Sequence, residues 1–240
     1  MKKLFLLLVP ALAFAMTSCE IDNYDAPNAE VHGFFVDSKD NTTLVGTDIQ
    51  NGNQITVYEQ GFASEGAQTW RITNTGEYTN KMVFAAKYRV AFSNTNFYPY
   101  EGDEMWEVKP GKNERNFVVT PFLRVINPTI TANNGVVTAK FKVEQGKNDP
   151  AISLKEVRLF AWSDKWVGNQ LKFDIKGSAV QSVNGPVDAT KEYTLTINTK
   201  DYPDFFPHSM NYYFRIGVQA KGSGYGTIRH NYSPLVKIEL

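Results

Sequence analysis

The amino-acid sequence predicts an all-β protein made of two β-sandwich domains. Apolar and polar residues alternate with a period of two at several places, as in strands that have one buried and one solvated face. No segment shows a convincing helical periodicity, and turn-forming residues separate the alternating segments. The length of 240 residues fits two domains of roughly 100 residues each or one large β domain. A single large β-barrel is therefore the alternative.

The clearest alternation lies in the second half of the chain. Within residues 137–143, for example, valine, alanine and phenylalanine alternate with threonine and lysine. Asn134-Gly135 precedes this segment and predicts a tight hairpin with residues 129–132, because both residue types tolerate a positive φ. The predicted strands of this half are 137–143, 171–175, 193–197 and 214–220.

The first half contains shorter predicted strands. They are residues 31–36, 55–59, 88–92 and 116–119, with turns expected at 37–41, 51–53, 74–76 and 98–103. A boundary near residues 120–125 gives an amino-terminal domain over 29–121 and a carboxy-terminal domain over 122–240. The junction has a single proline and no Gly/Ser tract, so we expect the two domains to stay in fixed contact.

Residues 1–18 have the features of a lipoprotein signal peptide. Lys2 and Lys3 precede an apolar stretch that is too short to span a membrane, and small residues lead to Cys19. Cys19 is the only cysteine of the chain, at the position where a lipoprotein is cut and acylated. An ordinary secretory signal with a chance cysteine is the alternative. We expect Cys19 to carry acyl chains that anchor the protein in a membrane.

The polar residues 19–28 predict a tether between the anchor and the first domain. Removal of Lys2 and Lys3 with the signal peptide leaves 23 basic and 25 acidic residues, a net charge of −2. This charge and the lack of a basic run give no indication of nucleic-acid binding.

Several segments resemble a Bacteroidota outer-membrane lipoprotein family known as domain of unknown function 3823. The segments are CEIDNYDAPNAEVHGFFVD, QITVYEQG, FAAKYRV and FVVTPFLRV in the first half, and EVRLFA, WVGN, YYFRIGVQAKG and RHNYSPLVKIEL in the second. The resemblance implies a transthyretin-like (carboxypeptidase-regulatory-like) sandwich followed by a fibronectin III/Ig-like sandwich. It also implies association with SusC/SusD-type glycan utilisation. The acidic residues after Cys19 resemble the signal that directs such lipoproteins to the cell surface. The family supplies no catalytic motif and no established binding residues.

Motifs for catalysis, cofactors and metals are absent from the sequence. There is no Gly-x-Ser-x-Gly motif, and His32, His208 and His230 are widely spaced. We therefore expect a non-catalytic protein with no cofactor, no catalytic residues and no metal site. Asp37 and Asp40 offer oxygens that calcium could use, but a turn that satisfies its own backbone is the better explanation.

Aromatic side chains are the candidates for ligand binding. The apolar face of a sugar ring can lie on an aromatic ring while nearby polar groups bind its hydroxyls. The candidate glycan-stacking residues are Trp162, Trp166, Trp106, Tyr98 and Tyr100. Residues 202–206 form a further aromatic segment, for which packing is the favoured explanation. Packing at the ends of the sandwiches or between the domains is the alternative for each of these rings.

These features together favour a surface-anchored, non-catalytic lipoprotein that binds polysaccharide for a SusC/SusD-type importer. The alternative is a structural scaffold, or accessory subunit, that docks on the importer without a ligand of its own. We expect an outer-membrane location, with the protein facing the cell exterior.

Overall fold

The structure, a computed structural model, describes residues 25–240. The predicted signal peptide, Cys19 and the first residues of the predicted tether lie outside this range. Residues 25–240 form sixteen strands and two single-turn 3-10 helices, Gly177–Ala179 and Thr199–Asp201, and contain no α-helix. The prediction of an all-β fold with two sandwich domains is confirmed. Within this range no helix has the length and apolar character needed to cross a bilayer.

The amino-terminal domain packs two sheets around one core. Its strands are β1 (Ala29–Asp37), β2 (Gln54–Glu59), β3 (Ala67–Arg71), β4 (Glu77–Val83), β5 (Lys87–Ser93), β6 (Met105–Glu107), β7 (Gly111–Glu114) and β8 (Phe117–Val119). One sheet has the order β4-β1-β7, with β8 also pairing with β1, and the other has the order β3-β2-β5-β6. Phe35, Ile55, Trp70 and Tyr78 are buried between the sheets.

The carboxy-terminal domain has a second, separate core. Its strands are β9 (Leu123–Asn133), β10 (Val136–Gln145), β11 (Ile152–Trp162), β12 (Val180–Gly185), β13 (Glu192–Asn198), β14 (Asn211–Gly222), β15 (His230–Tyr232) and β16 (Val236–Glu239). The sheets have the orders β13-β10-β9 and β12-β11-β14-β15, with β16 also pairing with β14. Phe141, Leu159, Leu195 and Ile216 are buried between them.

The predicted hairpin and alternation of β10 are present in the structure. Asn134 and Gly135 have φ values of 50° and 83°, and they connect β9 to β10. The inward residues of β10 face those of β13, so that Ala139 lies opposite Leu195. Because side chains alternate between the faces of a strand, this register places the apolar sets of both strands in one core.

The predicted strand at residues 171–175 is wrong. This segment lies beside the end of β11, where the amide of Phe173 donates to the carbonyl of Ala161 at 2.9 Å, but it forms no ladder. The edge of β11 is instead paired with β12, which begins at Val180 opposite Arg158. The alternation of the segment still reflects burial, since Ile175 is buried and Asp174 is exposed.

A buried ion pair joins the two domains. Arg124, at the start of β9, donates from Nε and Nη2 to the two carboxylate oxygens of Asp37, at the end of β1, at 2.6 and 2.7 Å. Only 11% of the Arg124 side chain and 6% of the Asp37 side chain are exposed. The hydrogen bonds with Asp37 raise the pKa of Arg124. This paired geometry matches the planar fork of the guanidinium to the carboxylate, so the pair fixes orientation as well as contact.

Arg215 on β14 makes a second buried contact between the domains. Its guanidinium donates to the carbonyl of Asn74 in the amino-terminal domain at 2.8 Å and to that of Ser233 at 2.9 Å. The guanidinium also lies 4.2 Å from the centre of the Tyr232 ring. Burial lowers the pKa of Arg215 to about 10. Carbonyl dipoles and an aromatic face therefore compensate this charge at the junction.

Two buried asparagines complete the junction. The Asn96 side-chain amide donates to the carbonyls of Gly46 and His230, each at 2.8 Å. Asn231 donates to the carbonyl of Asn96 at 2.9 Å and accepts from the amide of Leu123 at 3.1 Å. Buried polar groups that are satisfied in this way favour one relative arrangement of the domains.

Tyr98 lies in a loop of the amino-terminal domain but packs in the core of the carboxy-terminal domain. Its ring centre is 4.4 Å from that of Phe122 and 5.6 Å from that of Tyr225, and only 1% of the residue is exposed. A buried ring offers no face to a glycan, so the predicted stacking role does not fit the position of Tyr98. Its hydroxyl has no hydrogen-bond partner among the described residues.

Replacing Asp37 should test the contribution of the ion pair. Asp37→Asn removes the bidentate partner of Arg124 and leaves its guanidinium with only the Glu144 carboxylate, at 3.7 Å. We expect a loss of about 3 kcal/mol in the free energy of unfolding measured with urea. Glu101→Gln is the matched control, because it removes an exposed contact of 3.8 Å with Lys147. We expect the control to change stability by less than about 1 kcal/mol. An equally small effect of Asp37→Asn would show that the pair does not hold the domains together.

Tyr98 offers a second test of the junction. We expect Tyr98→Ala to lower the free energy of unfolding by about 3–5 kcal/mol, because it leaves a cavity between Phe122 and Tyr225. Tyr98→Phe keeps the ring and removes only an unpaired hydroxyl, so it should leave stability nearly unchanged. Equal stability of the alanine and phenylalanine variants would contradict the buried position of the ring.

Candidate functional site

A groove of about 580 Å³ follows the domain junction. The Arg124–Asp37 pair and Arg215 are among its polar lining groups. Its apolar lining includes Leu44, Val125, Ile126, Pro234 and Leu235. Grooves between domains are frequent ligand sites, so this one is the first candidate by shape.

The carboxylates at the rim of the groove are engaged by the protein itself. Asp40 accepts hydrogen bonds from the amides of Thr42 and Thr43 at 2.9 and 2.8 Å, and from the Thr43 hydroxyl at 2.6 Å. These hydrogen bonds hold the pKa of Asp40 well below its ordinary value. Asp37 is occupied by Arg124. In the part of the chain that the structure describes, no three His, Cys, Asp or Glu side chains are placed to hold a metal ion.

A half-buried aromatic surface on the carboxy-terminal domain is the second candidate. Its members, which we call the aromatic surface, are Trp162, Phe173, Tyr202, Phe205 and Phe206. The rings of Phe173 and Phe205 stack with centres 5.0 Å apart and an interplanar angle of 4°. Trp162 lies 5.0 Å from Phe173, and Tyr202 lies 6.1 Å from Phe205. All five side chains are partly exposed, so the rings form one connected surface that solvent reaches.

The end of β11 and one loop position these rings. Trp162 is the last residue of β11 and lies opposite Tyr213 of β14. Leu159 and Ala161, in contrast, point into the core. The amides of Phe205 and Phe206 both donate to the carbonyl of Tyr202, at 3.0 and 3.1 Å, which closes a tight turn after the 3-10 helix at Thr199–Asp201. Packing therefore orders the inner edges of the rings and leaves their outer edges in solvent.

Two cationic side chains neighbour the aromatic surface in sequence and pack around Phe160, a buried ring outside that surface. Arg158 precedes Trp162 by four residues on β11, and Lys172 precedes Phe173. Both cations lie near the buried Phe160, with Arg158 Cζ at 5.6 Å and Lys172 Nζ at 6.0 Å from the ring centre. Burial, and then repulsion by Arg158, lowers the pKa of Lys172. Arg158 Nε is buried without a hydrogen-bond partner among the described residues. The described contacts therefore place both cations around Phe160, and Lys172 Nζ also donates to the carbonyl of Asn169.

Trp166 lies on the loop that follows β11. The ring is partly exposed, and Lys165 Nζ lies 4.9 Å from its centre. The amide of Asn169 donates to Asp48 of the amino-terminal domain at 2.6 Å, and Asn74 donates to the carbonyl of Lys165 at 2.6 Å. Contacts with the amino-terminal domain therefore hold this loop in place.

The structure does not bring the five predicted aromatic residues into one site. Trp106 packs edge-on against Trp70 at 6.0 Å, and Tyr100 packs against Phe92 at 5.0 Å. Both are partly buried against the core of the amino-terminal domain. Trp162 and Trp166 belong to the other domain, whose core encloses Tyr98.

Sequence reasoning missed Phe173 as a surface residue and missed the groove entirely. Phe173 belongs to an alternating segment that predicts a strand with a buried face, so the sequence gives no sign that its ring is partly exposed. Groove residues such as Leu44 and Arg124 are distant in sequence and carry no shared motif, and only the docking of the domains brings them together.

Two family models match adjoining parts of the chain. The model described as protein of unknown function (DUF3823) N-terminal domain matches residues 29–120. The model described as domain of unknown function (DUF3823_C) matches residues 123–237. The match therefore spans both domains. Comparison with curated proteins gives no match.

Solved structures with the same fold come from Bacteroides and Parabacteroides species. One from Bacteroides uniformis, described as a "putative carbohydrate binding protein", is 46% identical with a TM-score of 0.83, and the match covers 89% of this chain and 100% of that chain. A DUF3823 family protein from Parabacteroides merdae is 17% identical with a TM-score of 0.73, covering 90% and 100% of the two chains. One from Bacteroides ovatus is 19% identical with a TM-score of 0.70, covering 88% and 98%. At these lower identities the last two show the fold alone. From the two family models and the 46% identical structure, the chain belongs to the DUF3823 family.

Proposed function

We propose that this chain is a lipid-anchored, non-catalytic protein of the outer membrane that binds polysaccharide for a SusC/SusD-type importer. The lipoprotein signal that ends at Cys19 supports the anchor. The family resemblance supports the link to glycan import. The 46% identical protein, described in terms of carbohydrate binding, supports the ligand class.

The observation that carries the proposal is the partly exposed aromatic surface of the carboxy-terminal domain. A sugar ring has an apolar C–H face that packs on an aromatic ring, and hydroxyls that need donors and acceptors at its edge. The stacked rings of Phe173 and Phe205, with Trp162 beside them, provide the first requirement. Exposed Ser163, which follows Trp162, and exposed Asp204, which precedes Phe205, supply polar groups for the second. Several rings in a row suit a chain of sugars better than a single small molecule.

The state of the groove carboxylates supports binding rather than hydrolysis. Glycoside hydrolysis needs two carboxyl groups about 5–10 Å apart that are free to donate and accept protons or to attack the sugar. Asp37 is held in an ion pair and Asp40 closes its own turn, so neither is available for this chemistry. Asp37 and Asp40 of the groove therefore do not form a free carboxyl pair for hydrolysis.

Affinity electrophoresis against a panel of plant, host and fungal glycans tests the proposal. We expect at least one polysaccharide to retard the native protein. We expect Trp162→Ala to weaken the apparent affinity about five- to thirtyfold, since an aromatic contact of this kind is worth about 1–2 kcal/mol. Trp106→Ala is the matched control, because it removes a partly buried tryptophan from the other domain.

Both variants must keep the thermal unfolding transition of a folded protein. Loss of retardation with Trp106→Ala and not with Trp162→Ala would move the site to the amino-terminal domain. A folded native protein that no glycan retards would contradict polysaccharide binding and favour the alternative, a scaffold that docks on the importer.

A further inference from the structure

Three large apolar side chains are exposed on the amino-terminal domain. Phe62 lies in the loop between β2 and β3, Met82 lies near the end of β4, and Phe84 follows β4. Their exposed fractions are 65%, 72% and 43%. Single exposed apolar residues are common on soluble proteins, so their shared location is what needs an explanation.

Backbone contacts place the loops that carry these residues at one end of the domain. The amide of Gln60 donates to the carbonyl of Lys87 at 2.8 Å, which joins the loop of Phe62 to the turn after Phe84. The amide of Ala85 donates to the Asn28 side chain at 2.9 Å. Since Ala29 pairs with Val83, Met82 and Phe84 flank the start of β1. The three residues therefore lie at the end of the domain where the chain enters from residue 28.

This end of the domain lies away from the carboxy-terminal domain. β1 runs from Ala29, at this end, to Asp37, which bonds Arg124 at the domain junction. The nine residues of β1 span roughly 25 Å at about 3.3 Å per residue.

Lysine side chains accompany the apolar ones. The exposed lysines at this end are Lys81, Lys87, Lys109 and Lys112. Lys112 lies 3.7 Å from Glu30, and exposed Asp25 and Glu107 lie at the same end. The net charge is therefore small, and the character of the surface is amphipathic rather than strongly basic. Lysine stems can lie along apolar surface while their ammonium groups stay in water.

We propose that this end of the amino-terminal domain, which we call the membrane-facing pole, rests on the lipid surface with Phe62, Met82 and Phe84 in the headgroup region. The inference rests on the proposed lipid anchor. Cys19 precedes Asn28 by nine residues, a span of about 30 Å at most when extended and less when coiled. An acylated Cys19 therefore keeps this pole within reach of the bilayer at a high effective concentration. Exposed Phe and Met beside Lys are suited to the boundary between headgroups and acyl chains.

A fluorescent thiol label tests this contact on the acylated protein. Acylation blocks Cys19, the only cysteine, so a cysteine introduced at position 62 or 82 is the one free thiol. Phe62→Cys and Met82→Cys are labelled with nitrobenzoxadiazole, and the protein is reconstituted into phosphatidylethanolamine–phosphatidylglycerol vesicles. Met210→Cys is the matched control, since Met210 is an exposed apolar residue of the carboxy-terminal domain.

We expect the labels at 62 and 82 to shift to shorter wavelength and to brighten in vesicles, while the label at 210 keeps its emission in water. Flotation of the protein with the vesicles in a density gradient shows separately whether the acylated protein is anchored in them. Protein that floats while the labels at 62 and 82 remain in water would overturn the membrane-facing pole and leave the anchor intact. Protein that does not float would overturn the proposed anchor. Labels that are shielded only in native outer membranes, and not in these vesicles, would assign the surface to a protein partner and overturn the lipid contact.

Discussion

The ion pair between Arg124 and Asp37 sets the geometry on which the groove and the arrangement of the domains depend. Removing two charges from water is costly, and the cost is recovered only when the partners meet in one well-defined arrangement. Arg215 adds a second buried cation that needs the Asn74 carbonyl of the other domain. A hinge motion would break the contact of Arg124 with Asp37 and that of Arg215 with Asn74 together. The two sandwiches therefore act as one body.

The rigid junction fixes the position of the aromatic surface relative to the membrane-facing pole. The chain enters the amino-terminal domain at the pole that carries Phe62, and the junction lies at the opposite end of β1. The aromatic surface belongs to the domain beyond that junction. The length of β1 separates the pole from the junction with the domain that presents Trp162. If the proposed anchor and binding surface are both present, this arrangement places the polysaccharide on the domain that lies away from the anchored pole.

Local features of the fold could be predicted from the sequence, and long-range features could not. The alternation in β10 and the Asn134-Gly135 turn were sufficient because one buried face and a two-residue turn are encoded by neighbouring residues. β3 and β7 were missed because only Trp70 in β3 is buried and none of β7 is, so neither shows an apolar periodicity. Residues 171–175 show the opposite error, because a strand was predicted where none forms. Their alternation reflects the burial of alternate side chains beside a sheet edge, without the backbone pairing of a strand.

The candidate site was predictable only in part. The aromatic residues could be named, but their exposure depends on which neighbours cover each ring. Tyr98 is sealed by Phe122 and Tyr225, residues that are close to it only after the domains dock. The groove depends on the same docking, and nothing in the local sequence around Leu44 or Arg124 indicates it. The prediction of fixed contact between the domains, made from the short junction, agrees with the buried network that forms there.

A distance measurement between the two domains tests the rigid junction most directly. Spin labels are placed at Phe62→Cys and Met210→Cys in the acylated protein, and their separation is measured by double electron–electron resonance. The account predicts one narrow distance distribution that does not change between low and high salt. A broad or two-peaked distribution would show that the domains move independently, and would contradict the arrangement on which the proposed function depends.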